Sequence, residues 1–201
     1  MARSKKTERG QGHLQHVTIC VGGMAGSGKS TLARKIAQKY GLKCFSGGAA
    51  LMALALEEGY RPIERGWWES EEGMRFLEKR GRDPRFDQAV DDKLLQLAQQ
   101  GNVVLDSWTM PWLLKDGFKI WLEASVEKRA ERIVERDNIS FKEALEAVKR
   151  KERQTKIIYK KMYGFSLGDD YAPFNFILDT DILNEEEVFQ ILCMVLESLV
   201  L

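Results

Sequence analysis

The chain reads as an α/β protein built on a parallel sheet, and three observations say so. Short apolar strands alternate with helical segments, a glycine-rich turn follows the first strand at once, and one continuous apolar strand ends in an acid. In order, His16 to Val21 alternates towards a short apolar strand. Lys29 to Tyr40 has helical period, with Leu32, Ala33, Ile36, Ala37 and Tyr40 on one face and Gly41 as a stop. Leu42 to Phe45 is a second short strand. Ala49 to Glu58 reads as helix, the stretch to Arg82 as an irregular, partly helical insert, and Pro84 to Gln100 as a helix ending at Gly101. Val103-Val104-Leu105 is a buried strand delivering Asp106 at its carboxyl end.

Phe118 to Leu122 is the fourth strand. Ser125 caps a helix running to Asp137, and Ser140 with Glu143 forms a capping box for a long helix ending near Gly164. Phe174 to Leu178 is the fifth strand. Asn184 caps a last helix that carries Glu185, Glu186 and Glu187 in its first turn, where the helix dipole favours acids. Val188, Ile191, Leu192, Val195, Leu196 and Leu199 give that helix a buried stripe.

The 201 residues suit one domain with a sizeable core, and 44% hydrophobic with 30% charged residues is the balance of a globular protein. A net charge of +1 supplies no global field towards nucleic acid or membrane. Residues 1–14 read as a disordered basic tail around Arg3, Lys5, Lys6 and Arg9; four cations without aromatics support a nucleic-acid arm weakly. No apolar run has membrane-spanning length, and the N-terminus lacks a signal-like apolar stretch. Cys20, Cys44 and Cys193 have neither metal nor redox spacing, which suits small core side chains in a reducing cytoplasm.

Residues 23 to 30 read Gly-Met-Ala-Gly-Ser-Gly-Lys-Ser, a full match to the phosphate-loop pattern G-x-x-x-x-G-K-[ST]. Gly23, Gly26 and Gly28 allow the angles that turn amide groups inward around a phosphate, and the helix opening near Lys29 aims its positive end there. Gly23, Met24, Ala25, Gly26, Ser27, Gly28, Lys29, Ser30 and Thr31 form the expected donor cradle. Lys29 reaches the β- and γ-phosphates of ATP, while the Ser30 hydroxyl and Asp106 are the candidate Mg²⁺ contacts. Strand before and helix after place the motif in a P-loop NTPase three-layer fold with a sheet of about five parallel strands.

Phosphoryl transfer asks for positive charge around the moving group. Arg129, Arg132 and Arg136 share a helix face beside Val126, Ala130 and Ile133, and Arg150 and Arg153 lie on the returning helix. Joined by the short turn Asp137-Asn138-Ile139, the two helices have the form of a lid. Glu127, Glu131, Glu135 and Glu146 interleave with these arginines, so a solvated face is the competing reading.

Over most of residues 16 to 200 the chain resembles the archaeal-type cytidylate kinases, within the nucleoside monophosphate kinases. The resemblance rests on Gly23 to Ser30, on Ser46-Gly47-Gly48, and on Asp83-Pro84 with Asp87 and Asp91. It continues through Gly101 to Ser107, Arg129 to Ile133, Ile139 to Leu145, Tyr159-Lys160 and Tyr163-Gly164. It implies an acceptor-binding helical insert (about 46–100), a helical lid (about 132–158) and Mg·ATP as donor. It would make Arg132 and Arg136 phosphate-clamping residues, with Arg150 and Arg153 as partners. Ser46, Gly47, Gly48 and Asp87 would then face the acceptor.

Three usually basic positions depart from the family pattern: Met52 or its neighbours, Trp108 and Ile158 stand there instead. The first two normally help hold the acceptor's phosphate, and each such charge-assisted partner is worth about 1.5–3 kcal/mol. Arg61, Arg65, Arg75, Arg80, Arg82 and Arg85 are the nearby candidates to replace them. Trp67, Trp68, Trp108 and Trp112 either pack the insert or stack on an acceptor.

The expected activity is phosphoryl transfer from ATP to a small acceptor, a pyrimidine nucleoside monophosphate (CMP or dCMP) first. Another small metabolite as acceptor, or an ATP-hydrolysing switch that binds protein or RNA, are the alternatives. An alcohol acceptor would require a base, for which Asp106 and Asp87 are the candidates.

Overall fold

A computed structural model describes residues 16–63 and 66–201. The expected tail, residues 1–14, and Arg65 lie outside the described residues. Five strands, β1 (Thr18–Gly23), β2 (Lys43–Ser46), β3 (Val103–Asp106), β4 (Phe118–Glu123) and β5 (Phe176–Asp179), form one sheet in the order β2-β3-β1-β4-β5. Every neighbouring pair is parallel. Helices α1 (Lys29–Tyr40), α2 (Gly47–Glu57), α3 (Glu71–Arg82), α4 (Arg85–Gln99), α5 (Met110–Leu113), α6 (Val126–Asp137), α7 (Phe141–Tyr163) and α8 (Glu185–Leu199) complete the described residues, with a 3₁₀ turn at Trp67–Glu69. Strand ends shift by at most two residues from the sequence reading, and α5 has no periodic signal because it is one turn long.

The three central strands are buried on both faces, as helices on each side of a parallel sheet require. Alternation sorts their side chains. Ile19 and Val21 face α1 and α8 with Leu32, Ile36, Leu192 and Leu196, while Cys20, Leu105 and Val103 face α2–α4 with Leu51, Phe76, Phe86 and Leu94. This is the three-layer α/β arrangement.

The insert is more regular than its sequence suggests. Ser70 caps α3, its hydroxyl accepting from the Gly73 amide, and Met74, Phe76, Leu77 and Arg80 form the buried face. A helix with so many charges reads as irregular until its partner is known, and that partner is α7. Leu77 and Met74 pack with Ile158, Tyr159, Phe165 and Trp121, tying insert to hairpin. The α6–α7 hairpin has a small core of its own, Ala130, Ile133, Ala144 and Val148, and turns at Asn138 in the left-handed region. The capping box at Ser140 and Glu143 is present, as is that at Asn184 and Glu187.

Candidate active site

The phosphate loop joins the carboxyl end of β1 to α1. Gly23, Gly26 and Gly28 take φ values of 148°, 83° and 88°. At Gly26 the requirement is doubled, because a Cβ there would stand 2.6 Å from the Arg129 carbonyl oxygen. The close approach of loop to α6 is held by Arg129, whose guanidinium donates to the Ala124 and Ala25 carbonyls and pairs with Glu152 at 2.8 Å. Arg129 is therefore a scaffold residue, buried and committed.

β3 runs beside β1 with Val21 opposite Asp106, and beside β2 with Ser46 opposite Asp106. That register brings the acid to the rim of the phosphate loop. The Ser46 hydroxyl donates to Asp106 Oδ2 at 2.9 Å, and Ser46 also accepts from the Ala49 amide as the cap of α2. Asp106 Oδ1 is buried and has no hydrogen-bond partner among the described residues. A buried unpaired carboxylate oxygen is costly in an apolar setting and suits a cation. Burial lowers the pKa of Lys29, and the nearby Asp106 carboxylate opposes the shift.

Two cavities meet at this loop. One, of about 710 Å³, lies between the loop, α6 and the segment after β5, and is lined by Lys128, Arg132, Thr180 and Ile182 among others. The other, of about 840 Å³, lies between the loop and the insert, with Gly47, Gly48, Met52, Trp68, Asp106 and Trp108 in its wall. Gly26, Lys29, Ser30, Thr31 and Arg136 line both. Gly23 touches the second site through its carbonyl, which accepts from Trp108 Nε1 at 2.5 Å. Met24 is buried in the core beside Trp121, and Ser27, also buried, lies within the loop at the wall of the first cavity.

The arginines separate into distinct roles. Arg132 donates to the Ser27 carbonyl and to the hydroxyl and carbonyl of Thr180, bridging the loop to the end of β5. Arg136 stands at the junction of the cavities, held by Asp137 at 2.5 Å and Glu69 at 3.1 Å. Arg150 and Arg153, expected as their partners, line neither cavity. Arg150 pairs with Glu78 of α3 at 2.9 Å, and Arg153 is exposed. The helical period explains this placement: α7 presents Val148, Lys151, Thr155 and Ile158 inward, so its neighbours at 150 and 153 turn away.

Asp87, expected to meet the acceptor, lines the second cavity and is also engaged by its neighbours. It pairs with Arg80 through two contacts, 2.5 Å from Nη2 and 3.1 Å from Nε, and accepts from the Tyr159 hydroxyl at 3.2 Å. Burial alone would lower the Arg80 pKa, but Asp87 and Tyr159 outweigh it and the net shift is upward. Asp91 accepts from Thr109 Oγ1 at 2.5 Å and from the Tyr163 hydroxyl at 2.6 Å. Burial pushes its carboxyl up to about 6. Of the other arginines suggested by sequence, Arg85 pairs with Asp83, and Arg75 and Arg82 are exposed.

The tryptophans divide between the two expected roles. Trp112 stacks on Phe165 at 4.1 Å and donates to Asp170, and Trp67 is buried with its Nε1 on Glu72. Trp68 and Trp108 face the second cavity, and Trp67 also contributes to its wall. Ile158 packs against Gly81 at the α3–α7 contact, which accounts for an apolar residue there. Lys151 escaped the sequence reading: one lysine in a run of charges carries no signal until α7 is docked. It is 8% exposed, 5.0 Å from the Trp68 ring and 5.9 Å from the Trp108 ring.

A glycine-rich cradle, a lysine and a strand-end acid on a five-stranded parallel sheet, with an acceptor-sized cavity opposite, define a P-loop kinase. Residues 18–182 match the cytidylate kinase-like family, and the chain belongs to it. The cytidylate kinase of Pyrococcus horikoshii is 33% identical over 184 residues, covering 91% of this chain and 90% of the relative. That of Methanocaldococcus jannaschii is 33% identical over 186 residues, covering 90% of this chain and 98% of the relative. Among solved structures, a shikimate kinase from Bacteroides thetaiotaomicron superposes with a TM-score of 0.55 at 17% identity, over 92% of this chain and 99% of that one. That likeness concerns the fold. No helix among the described residues is long and apolar enough to cross a membrane.

Proposed function

We propose that the protein is an ATP-dependent nucleoside monophosphate kinase acting on CMP or dCMP. The observation that carries the reading is the pair of cavities sharing one wall, with Lys29 and Arg136 at their junction. Donor and acceptor bound on either side of that wall would present a γ-phosphate to an acceptor oxygen across it. ATP takes the first cavity, its phosphates on the amides of residues 23–31, with Lys29 on the β- and γ-phosphates. Residues 46–100 supply the acceptor side and residues 132–158 the lid.

Transfer forms a bond from an acceptor phosphate oxygen to the γ-phosphorus and breaks the bond from that phosphorus to the β-bridging oxygen. The attacking oxygen is ionised at neutral pH, so no base is needed. Arg136 at the junction, with Arg132 on the donor side, stabilises the spreading negative charge. Ser30 and Asp106, whose Oδ1 is unpaired, are the residues that would hold Mg²⁺. Bound there with the donor, the ion neutralises charge on the phosphates. Free cysteines suit a reducing cytoplasm.

The test is ADP release from Mg·ATP with CMP, dCMP, UMP, AMP or dTMP added singly. Strong stimulation by CMP or dCMP is expected. Basal turnover with all five would sink the reading and turn attention to another small acceptor.

A further inference from the structure

With Met52 and Trp108 at the two positions that resemblance makes basic, the acceptor's phosphate needs another cation. Among the described residues, Lys29, Arg34, Arg80, Arg136 and Lys151 line the second cavity. Lys29 serves the donor phosphates. Arg34 is exposed on α1. Arg80 is spent on Asp87 through two hydrogen bonds, and Arg136 is held by two contacts to Asp137. Lys151 remains. It is buried, and its carboxylate contact is one long approach to Glu69 Oε1, 3.4 Å away. A buried lysine so loosely paired is expensive unless a ligand completes it.

Its surroundings are those of an anion site with the anion supplied internally. Trp108 receives both Lys29 at 5.3 Å and Lys151 at 5.9 Å, so two ammonium groups flank one ring at the mouth of the phosphate loop. Glu69, buried with a side chain 5% exposed, reaches Arg136 with one oxygen and Lys151 with the other. It sits on the 3₁₀ turn at Trp67–Glu69, entered through Gly66 at φ 72°.

We propose that Lys151 anchors the phosphate of the acceptor, and that Glu69 occupies the phosphate's place on Lys151 until the acceptor arrives. The proposal rests on the kinase reading above and assigns the cation that reading leaves open. It makes Lys151 a residue that distinguishes a monophosphate from its nucleoside, since a neutral 5′-hydroxyl has nothing to exchange with Glu69. Lys151 faces Glu69 from the 3₁₀ turn, Lys29 from α1 and Arg136 from α6. Burial, reinforced by the two cations and opposed by Glu69, brings its pKa down to about 8. Its charge is therefore lost as pH rises through that value.

The experiment is equilibrium binding of CMP, dCMP and cytidine to the full chain at pH 7, for wild type, Lys151→Met, Lys151→Arg and Glu69→Gln. Lys151→Met is expected to weaken the monophosphates about 10- to 100-fold and leave cytidine within about twofold. Glu69→Gln is expected to bind the monophosphates several-fold more tightly. Wild-type affinity for them falls above pH 8, and Lys151→Arg removes that fall because arginine stays charged. The arginine variant decides the matter even where the methionine variant does not fold. Equal monophosphate affinity in wild type and Lys151→Met, an unchanged pH profile in Lys151→Arg, or weaker binding in Glu69→Gln overturns the proposal. If wild type and Lys151→Met bind both monophosphates alike, the anchor alone fails. If wild type binds neither monophosphate, the kinase reading fails with it.

Discussion

Replacing Asp87 by alanine strands the Arg80 guanidinium in the interior. The pair is nearly inaccessible, with side-chain exposures of 2% and 3%. Two charge-assisted hydrogen bonds join it, and the Tyr159 hydroxyl lies 3.2 Å from the same carboxylate. Attraction across so dry a pair offsets the desolvation of both charges. Loss of one partner leaves the other uncompensated, at about 3–5 kcal/mol. With a urea slope near 2 kcal/mol/M for a chain of this size, the unfolding midpoint should fall by about 2 M. The assay is urea denaturation at pH 7 followed by far-UV circular dichroism. Replacing both partners, Arg80→Met with Asp87→Leu, should recover most of the loss, because no charge is then buried alone. A midpoint within about 0.3 M of wild type in Asp87→Ala, or a double variant no better than the single, would refute the reasoning.

Other consequences follow from the same geometry. Gly26→Ala adds a Cβ 2.6 Å from the Arg129 carbonyl at a φ of 83°, so the loop must leave α6. A stability loss of about 1–3 kcal/mol and at least a tenfold rise in KM for ATP are expected; wild-type values for both would contradict the assignment. Lys29→Ala should abolish turnover while leaving the thermal unfolding temperature no lower, since it removes a half-buried cation whose charged form its surroundings disfavour; full activity in this variant would overturn the site. Asp91 is held protonated up to about pH 6 in the folded chain against 3.8 as its ordinary value. Its raised pKa means that the folded state binds more protons between those values, so stability from this group falls as pH rises through them. The penalty, about 3 kcal/mol, is fully present above pH 6. Asp91→Asn should lose that dependence, and parallel stability curves for the two proteins between pH 4 and 7 would count against it.

The alternating pattern of strands and helices, the capping residues and the phosphate loop were legible in the sequence because each depends on neighbours a few residues away. Helix periods, caps and the glycine turn are local physics, and so the phosphate loop, Gly23 to Thr31, and the strand-end Asp106 could be placed before any contact was known. The acceptor side was not legible in this way. Which face of α7 turns inward depends on its docking against α3, and that docking turns Arg150 and Arg153 away and sets Lys151 in the wall of the second cavity. Asp87 and Arg80 are seven residues apart across a helix break, and only the packed insert closes them into a pair. Glu69 gains its meaning from Arg136 and Lys151, 67 and 82 positions away in the chain. Charged residues on helices look alike in sequence. Burial decides which of them must find a partner, and burial is a property of the tertiary structure alone.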